Sequence, residues 1–138
     1  MTIYPNVSGI NLALFADAGI SPALLLLYQS IAAPLSVSTK LSDFTEANYS
    51  GYAPKTIAAM NAPYLDPAGG ATISTPSQQF DFEPPVPPAL AVTNVIFGWY
   101  LANPGSGLLV CGSFDEPIAM AAVGDAIPLQ VLMNFGRN

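Results

Sequence analysis

The clearest alternation of apolar and polar positions lies in the last third of the chain. "VTNVIFGWYLA" and "GLLVCGSF" are β-branched and aromatic runs separated by "NPGSG", Asn103 to Gly107, the arrangement of two strands joined by a short hairpin loop. Both parities of the first run are apolar, with Val95, Phe97 and Trp99 on one and Ile96 and Tyr100 on the other. Such a strand is expected to be covered on both faces, by a second sheet or by another subunit. "AIPLQVLMNF" puts Ile127, Leu129, Val131, Met133 and Phe135 on one parity and predicts a last strand, led in by the "VGD" turn of Val123 to Asp125. "QQFDFE" alternates in the same way, Phe80 and Phe82 against Gln79, Asp81 and Glu83, and "INLALFAD" near the start reads as an early strand with Ile10, Leu12, Leu14 and Ala16 on one side.

Two segments do not alternate. In "SPALLLLYQSIAAPLSVSTKL", Leu24, Leu27, Tyr28 and Ile31 keep helical spacing behind Ser21-Pro22, which suits a capping residue followed by proline at the first helical position. A short helix and a long extended loop both fit this segment. "EPPVPPA", Glu83 to Ala89, has four prolines and so lacks four amide donors. It cannot enter a sheet interior and is expected to run as a stiff extended connector, either a plain linker or a docking segment. "DPAGG", Asp66 to Gly70, marks a turn. Short strands, turns rich in Gly and Pro and only one possible helix predict an all-β fold. The expectation is a single-domain antiparallel β-sandwich or barrel over residues 1–138 with at most one short helix, carrying an apolar insertion near 18–40 and a Pro-rich connector at 83–89.

Composition sharpens the picture. Hydrophobic residues make up 51% of the 138 residues and charged residues 9%, against about 25% charged in an average soluble protein. The longest apolar run, Pro22 to Tyr28, is far short of the ~20 residues of a spanning helix, and no basic region precedes it as in a signal peptide. The chain therefore reads as soluble, unprocessed and without a membrane partner. A charge-poor, apolar surface outside a membrane is expected to be covered by association, because obligate interfaces resemble a core cut in half. A homo-oligomer is the expectation.

Chemistry is scarce. The formal charge of -6 comes from nine acids and three scattered bases, Lys40, Lys55 and Arg137. Without clustered bases nucleic-acid binding is not expected. The chain has no His, and its single Cys111 reads as a small buried apolar residue. No Ser-His-Asp or Cys-His set can form, "PGSG" lacks the Lys-Ser/Thr of a phosphate loop, and "FDFE" and "FDE" offer only pairs of acids toward a cation. No enzyme activity and no cofactor are expected.

The run "LSDFTEANYSGYAPKTI", Leu41 to Ile57, holds the densest set of functional side chains. Asp43 and Glu46 are three apart, a spacing that suits acid–base work on one helical turn and equally suits an N-cap with its reciprocal Glu. Capping is the plainer reading. Leu41, Phe44 and Ala47 would anchor the turn, Gly51 would let the chain reverse between Tyr49 and Tyr52, and the tyrosines would pack on the sheet with their hydroxyls at its edge.

This motif resembles one found in small structural proteins of tailed bacteriophages, roughly Leu-x-x-Phe-Thr-Glu-Ala-x-aromatic-x-Gly-Tyr. Its context is similar too, with "LALFAD" before it and "GWYLANPGSGLLVCGSF" and "VGDAIPLQVLMNF" after it. The resemblance implies a virion component made in the host cytoplasm. A capsid decoration (cement) protein, bound to the major capsid protein as a trimer, is favoured over a tail or baseplate part. A carbohydrate- or receptor-binding module using Tyr49, Tyr52, Trp99 or Tyr100 as stacking platforms is the alternative. The resemblance makes the motif a structural joint. The long apolar segment and the Pro-rich connector depart from the family pattern, so Leu24, Leu25, Leu27 and Tyr28, with Pro84, Pro85, Pro87 and Pro88, are the candidate partner contacts.

Overall fold

A computed structural model describes residues 2–3, 23–61, 64–65, 71–103 and 107–135, and these form an all-β, antiparallel fold whose one helical element is a single 3-10 turn. The expected strand "INLALFAD" and the turn "DPAGG" lie outside the described residues.

The principal sheet has six strands: β1 (Thr2–Ile3), β2 (Ala23–Ile31), β3 (Phe44–Glu46), β4 (Lys55–Ile57), β8 (Asn94–Asn103) and β9 (Gly107–Met120). Their order is β1-β9-β8-β2-β3, with β4 also paired to β2. Two small sheets accompany it: β7 (Gln78–Asp81) pairs with β10 (Ala126–Leu129), and β6 (Ala71–Ser74) lies between β5 (Tyr64–Leu65) and β11 (Leu132–Phe135).

The main core joins one face of the large sheet (Leu25, Leu27, Ile96, Leu101) to Phe80, Ile127 and Met133 of the small ones. This gives the two layers of an open sandwich. A second cluster lies on the other face, around Leu26, Tyr28, Tyr100, Ala102, Leu108 and Cys111.

The apolar segment is neither helix nor loop. Its residues Ala23 to Ile31 are a central strand, with β8 on one side and β3 and β4 on the other. Ala23, Leu25 and Leu27 enter the main core while Leu26 and Tyr28 enter the second cluster. Because both faces are covered from Ala23 to Tyr28, every position there is apolar, and the two-residue period that would have marked a strand is erased.

The hairpin of β8 and β9 forms as expected, but β9 runs on to Met120. Opposite the single residue Phe97, between the pairs Ile96↔Ile118 and Gly98↔Ser113, β9 carries Phe114 to Pro117 as a wide bulge. The expected double coverage of β8 holds for Trp99 to Asn103, which are buried, but not for Val95 and Phe97, which are 47% and 43% exposed.

The last run keeps its parity, since Ile127, Val131 and Met133 are buried, but it is two strands rather than one. At the break Thr75 takes both backbone groups of Val131: the Val131 N–H donates to Thr75 Oγ1 (3.0 Å) and the Thr75 N–H donates to the Val131 carbonyl (2.9 Å). The "VGD" turn is closed by Asp125, whose Oδ2 accepts from the Ala121 and Ala122 N–H groups at 2.9 Å each.

Candidate assembly surface

The motif from Leu41 to Ile57 runs along one edge of β2 and completes its hydrogen-bond ladder in two pieces. β3 pairs with Tyr28 to Ile31 and β4 with Ala23 to Leu25, leaving the backbone of Leu27 between them. The motif fills that gap. The Ala47 N–H donates to the Leu27 carbonyl (2.9 Å), and the Leu27 N–H donates to Tyr52 Oη (3.3 Å). Tyr52 thus stands in for a missing ladder partner, and burial pushes its phenol to a raised pKa.

Asp43 is a capping residue, but at the far end of its turn. Its carboxylate accepts from the Lys40 N–H (2.9 Å) while its own N–H donates to the Lys40 carbonyl (3.0 Å), closing the 3-10 turn Leu41–Asp43. Glu46 is no partner in that cap. It ends β3 opposite Tyr28, and its negative charge helps to raise the pKa of the Tyr52 phenol. Leu41 is 43% exposed and anchors nothing, whereas Phe44 stacks on Tyr100 at 4.3 Å between centroids and 5° between planes.

Gly51 does reverse the chain, at φ +88°, and the Tyr52 N–H donates to the Tyr49 carbonyl across the turn (2.9 Å). The Tyr49 hydroxyl does not reach the sheet edge. It is buried with no hydrogen-bond partner among the described residues, and burial, with the negative charge of Asp81, pushes its pKa up to about 12.

The candidate contacts separate into two kinds. Leu25, Leu27 and Tyr28 are buried and Leu24 half-buried, all four within the central strand, and of them Tyr28 also lines an apolar groove. Of the tyrosines and tryptophan read as stacking platforms, Tyr49, Trp99 and Tyr100 are buried and Tyr52 is half-buried. The Pro-rich connector behaves otherwise.

That connector is the base and arm of a loop projecting into solvent. Ser50 holds both ends: the Glu83 N–H donates to its carbonyl (3.0 Å), the Val92 N–H to its Oγ (2.7 Å), and the Ser50 N–H to the Val92 carbonyl (2.9 Å). Between these anchors the chain is not simply extended but turns, with the Ala89 N–H on the Val86 carbonyl (3.2 Å). Pro84, Pro87 and Pro88 are exposed and Pro85 is half-buried. Val86 and Leu90, 84% and 89% exposed, stand at its tip.

The same chain carries an apolar groove of about 570 Å³ on the second face of the sheet, lined by Tyr28, Ile31 and Leu35, by Phe97, and by Phe114 and Pro117 of the bulge. A largely exposed amide cluster adjoins the groove through Gln29. Gln29, Asn48 and Asn94 bond one another at 2.9–3.3 Å beside the start of β8 and are consumed in joining β2 to it.

Among the described residues there is no group of three or more His, Cys, Asp or Glu able to hold a metal, and no helix long and apolar enough to cross a membrane. Comparison with family models, curated proteins and solved structures gives no match.

Proposed function

We propose that this chain is a non-enzymatic structural subunit of a phage virion, and that it acts as a capsid decoration protein binding the major capsid protein as a homo-oligomer. The observation that carries the reading is the loop from Pro84 to Ala91. It presents Val86 and Leu90 almost fully to solvent from a base fixed by two backbone hydrogen bonds and one to the Ser50 hydroxyl. Exposed large aliphatic side chains on a rigid platform are contact elements rather than catalytic ones. Low charge over the whole chain supports the same conclusion, since charged residues are depleted at interface cores. The phage assignment itself rests on the resemblance of the Leu41–Ile57 motif, whose observed role as a sheet joint agrees with it.

The experiment is co-sedimentation of the purified protein with undecorated phage heads, followed by image reconstruction to place the subunit. Saturable binding at lattice positions is expected. Failure to pellet with heads, together with its detection by mass spectrometry in isolated tails, would move the protein to the tail or baseplate.

A further inference from the structure

We propose that copies of this chain associate head to tail, the Pro-rich loop of one copy seating in the apolar groove of the next. This deepens the assembly reading, because it names the surfaces through which sister subunits meet.

The two surfaces match in chemistry. The loop tip offers proline, valine and leucine, and no charged residue occurs between Pro84 and Val92. The groove offers the rings of Phe97 and Phe114 with Ile31, Leu35 and Pro117, and Asp115 is its one ionisable group apart from Tyr28. The loop turns between Val86 and Ala89, so it presents a compact apolar knob rather than an extended segment, and seating that knob against aromatic rings removes apolar surface from water. Ser50 adds to this by fixing both ends of the loop before any partner arrives, which lowers the ordering cost of binding.

The second copy is favoured over a foreign partner for two reasons. Knob and groove are present on the same molecule and neither is closed off by the described residues, since Phe97 is 43% exposed and Leu90 89%. A chain with a formal charge of -6 repels its own copies, so its self-contact is best made through surface of little charge: the loop carries none and the groove only Asp115. A contact between two different surfaces of one chain is heterologous, and it ends in a closed ring when the rotation closes.

The test is sedimentation equilibrium at micromolar concentration, without heads present, on the wild type and two variants. Val86→Glu/Leu90→Glu spoils the loop and Phe97→Glu spoils the groove. All three positions are exposed, so circular dichroism and the unfolding midpoint are expected to stay unchanged; Phe97→Ser replaces the Glu variant if that one fails to fold. The wild type is expected to be an oligomer and each variant a monomer, with the dissociation constant raised at least about tenfold, or 1.4 kcal/mol. The decisive arm is an equimolar mixture of the two variants. One intact loop then meets one intact groove, and a 1:1 heterodimer is expected that cannot close a ring. A monomeric wild type, oligomeric variants, or a mixture that stays monomeric would each overturn the proposal. Head binding by a protein that fails this test would leave the decoration reading standing, and the reverse result would remove the decoration reading alone.

Discussion

Tyr49 and Tyr52 are three residues apart, both pack on the main core, and replacing each by Phe is expected to change stability in opposite directions. The Tyr49 ring meets Tyr52 edge-on at 5.4 Å and lies near-parallel to Phe82 at 6.3 Å, contacts that a phenylalanine ring keeps. Its hydroxyl has no partner among the described residues. An unmade hydrogen bond of this kind costs about 1–3 kcal/mol. Removing the oxygen leaves a void of one atom, which returns part of that gain, so Tyr49→Phe should stabilise by about 1–2 kcal/mol, or raise Tm by roughly 3–8 °C. Tyr52→Phe removes the acceptor for the Leu27 N–H and should cost about 1–2 kcal/mol. Urea unfolding at neutral pH measures both, with the slope unchanged if only the native state is affected. The pH dependence gives a second reading. The folded-state pKa of Tyr49 lies near 12, above the ordinary value of 10, so the folded protein holds that proton more tightly than the unfolded chain. Its contribution is therefore complete below pH 10 and is lost as pH rises from 10 to 12, and Phe cannot lose it. The advantage of Tyr49→Phe over wild type should widen across that window. A destabilised Tyr49→Phe, or a gap independent of pH, would show that the hydroxyl is satisfied and the reasoning wrong.

Gly98→Ala is expected to destabilise by about 3 kcal/mol, because a methyl group there would meet the Gly112 carbonyl oxygen and sit 2.6 Å from Tyr28 Oη and 2.7 Å from its ring; thermal unfolding by circular dichroism checks it. Asp125→Ala removes the acceptor of two backbone donors and should cost about 1–2 kcal/mol by urea unfolding, with Asp125→Asn recovering part of it because one oxygen remains.

Legibility in the sequence followed the number of covered faces. Phe80 and Phe82 could be read because their strand buries one face, and the parity of Ile127 and Val131 survived for the same reason. Parity, however, reports a face and not a partner. It could not show that the chain leaves β7 and joins β6 at Gln130–Val131, where a single Thr75 hydroxyl makes the junction. β2 failed for the opposite reason: with both faces buried, Leu24 to Tyr28 carry a helical spacing by accident of being apolar throughout. The acids and proline of "FDEP" suggest a turn and hide the strand, since they bulge from the ladder and Ile118 returns to pair with Ile96. Asp43 was legible as a cap, but its partner is the Lys40 backbone, which no side-chain pattern marks.

The motif does more than join strands. Gly51 faces Glu83 so closely that a Cβ there would lie 2.7 Å from Glu83 Cβ and 2.8 Å from its nitrogen. The absence of a side chain is what lets the Glu83 backbone reach the Ser50 carbonyl at one end of the loop, while the Ser50 hydroxyl accepts from the Val92 N–H at the other. Tyr52, the next residue, is meanwhile fixed to Leu27 in the centre of the sheet. Three consecutive residues therefore tie the exposed loop to the most buried strand. A loop held in this way is tied to the sheet at both ends, so Val86 and Leu90 are presented from a fixed base. The joint and the exposed loop, which look unrelated along the chain, are two ends of one arrangement.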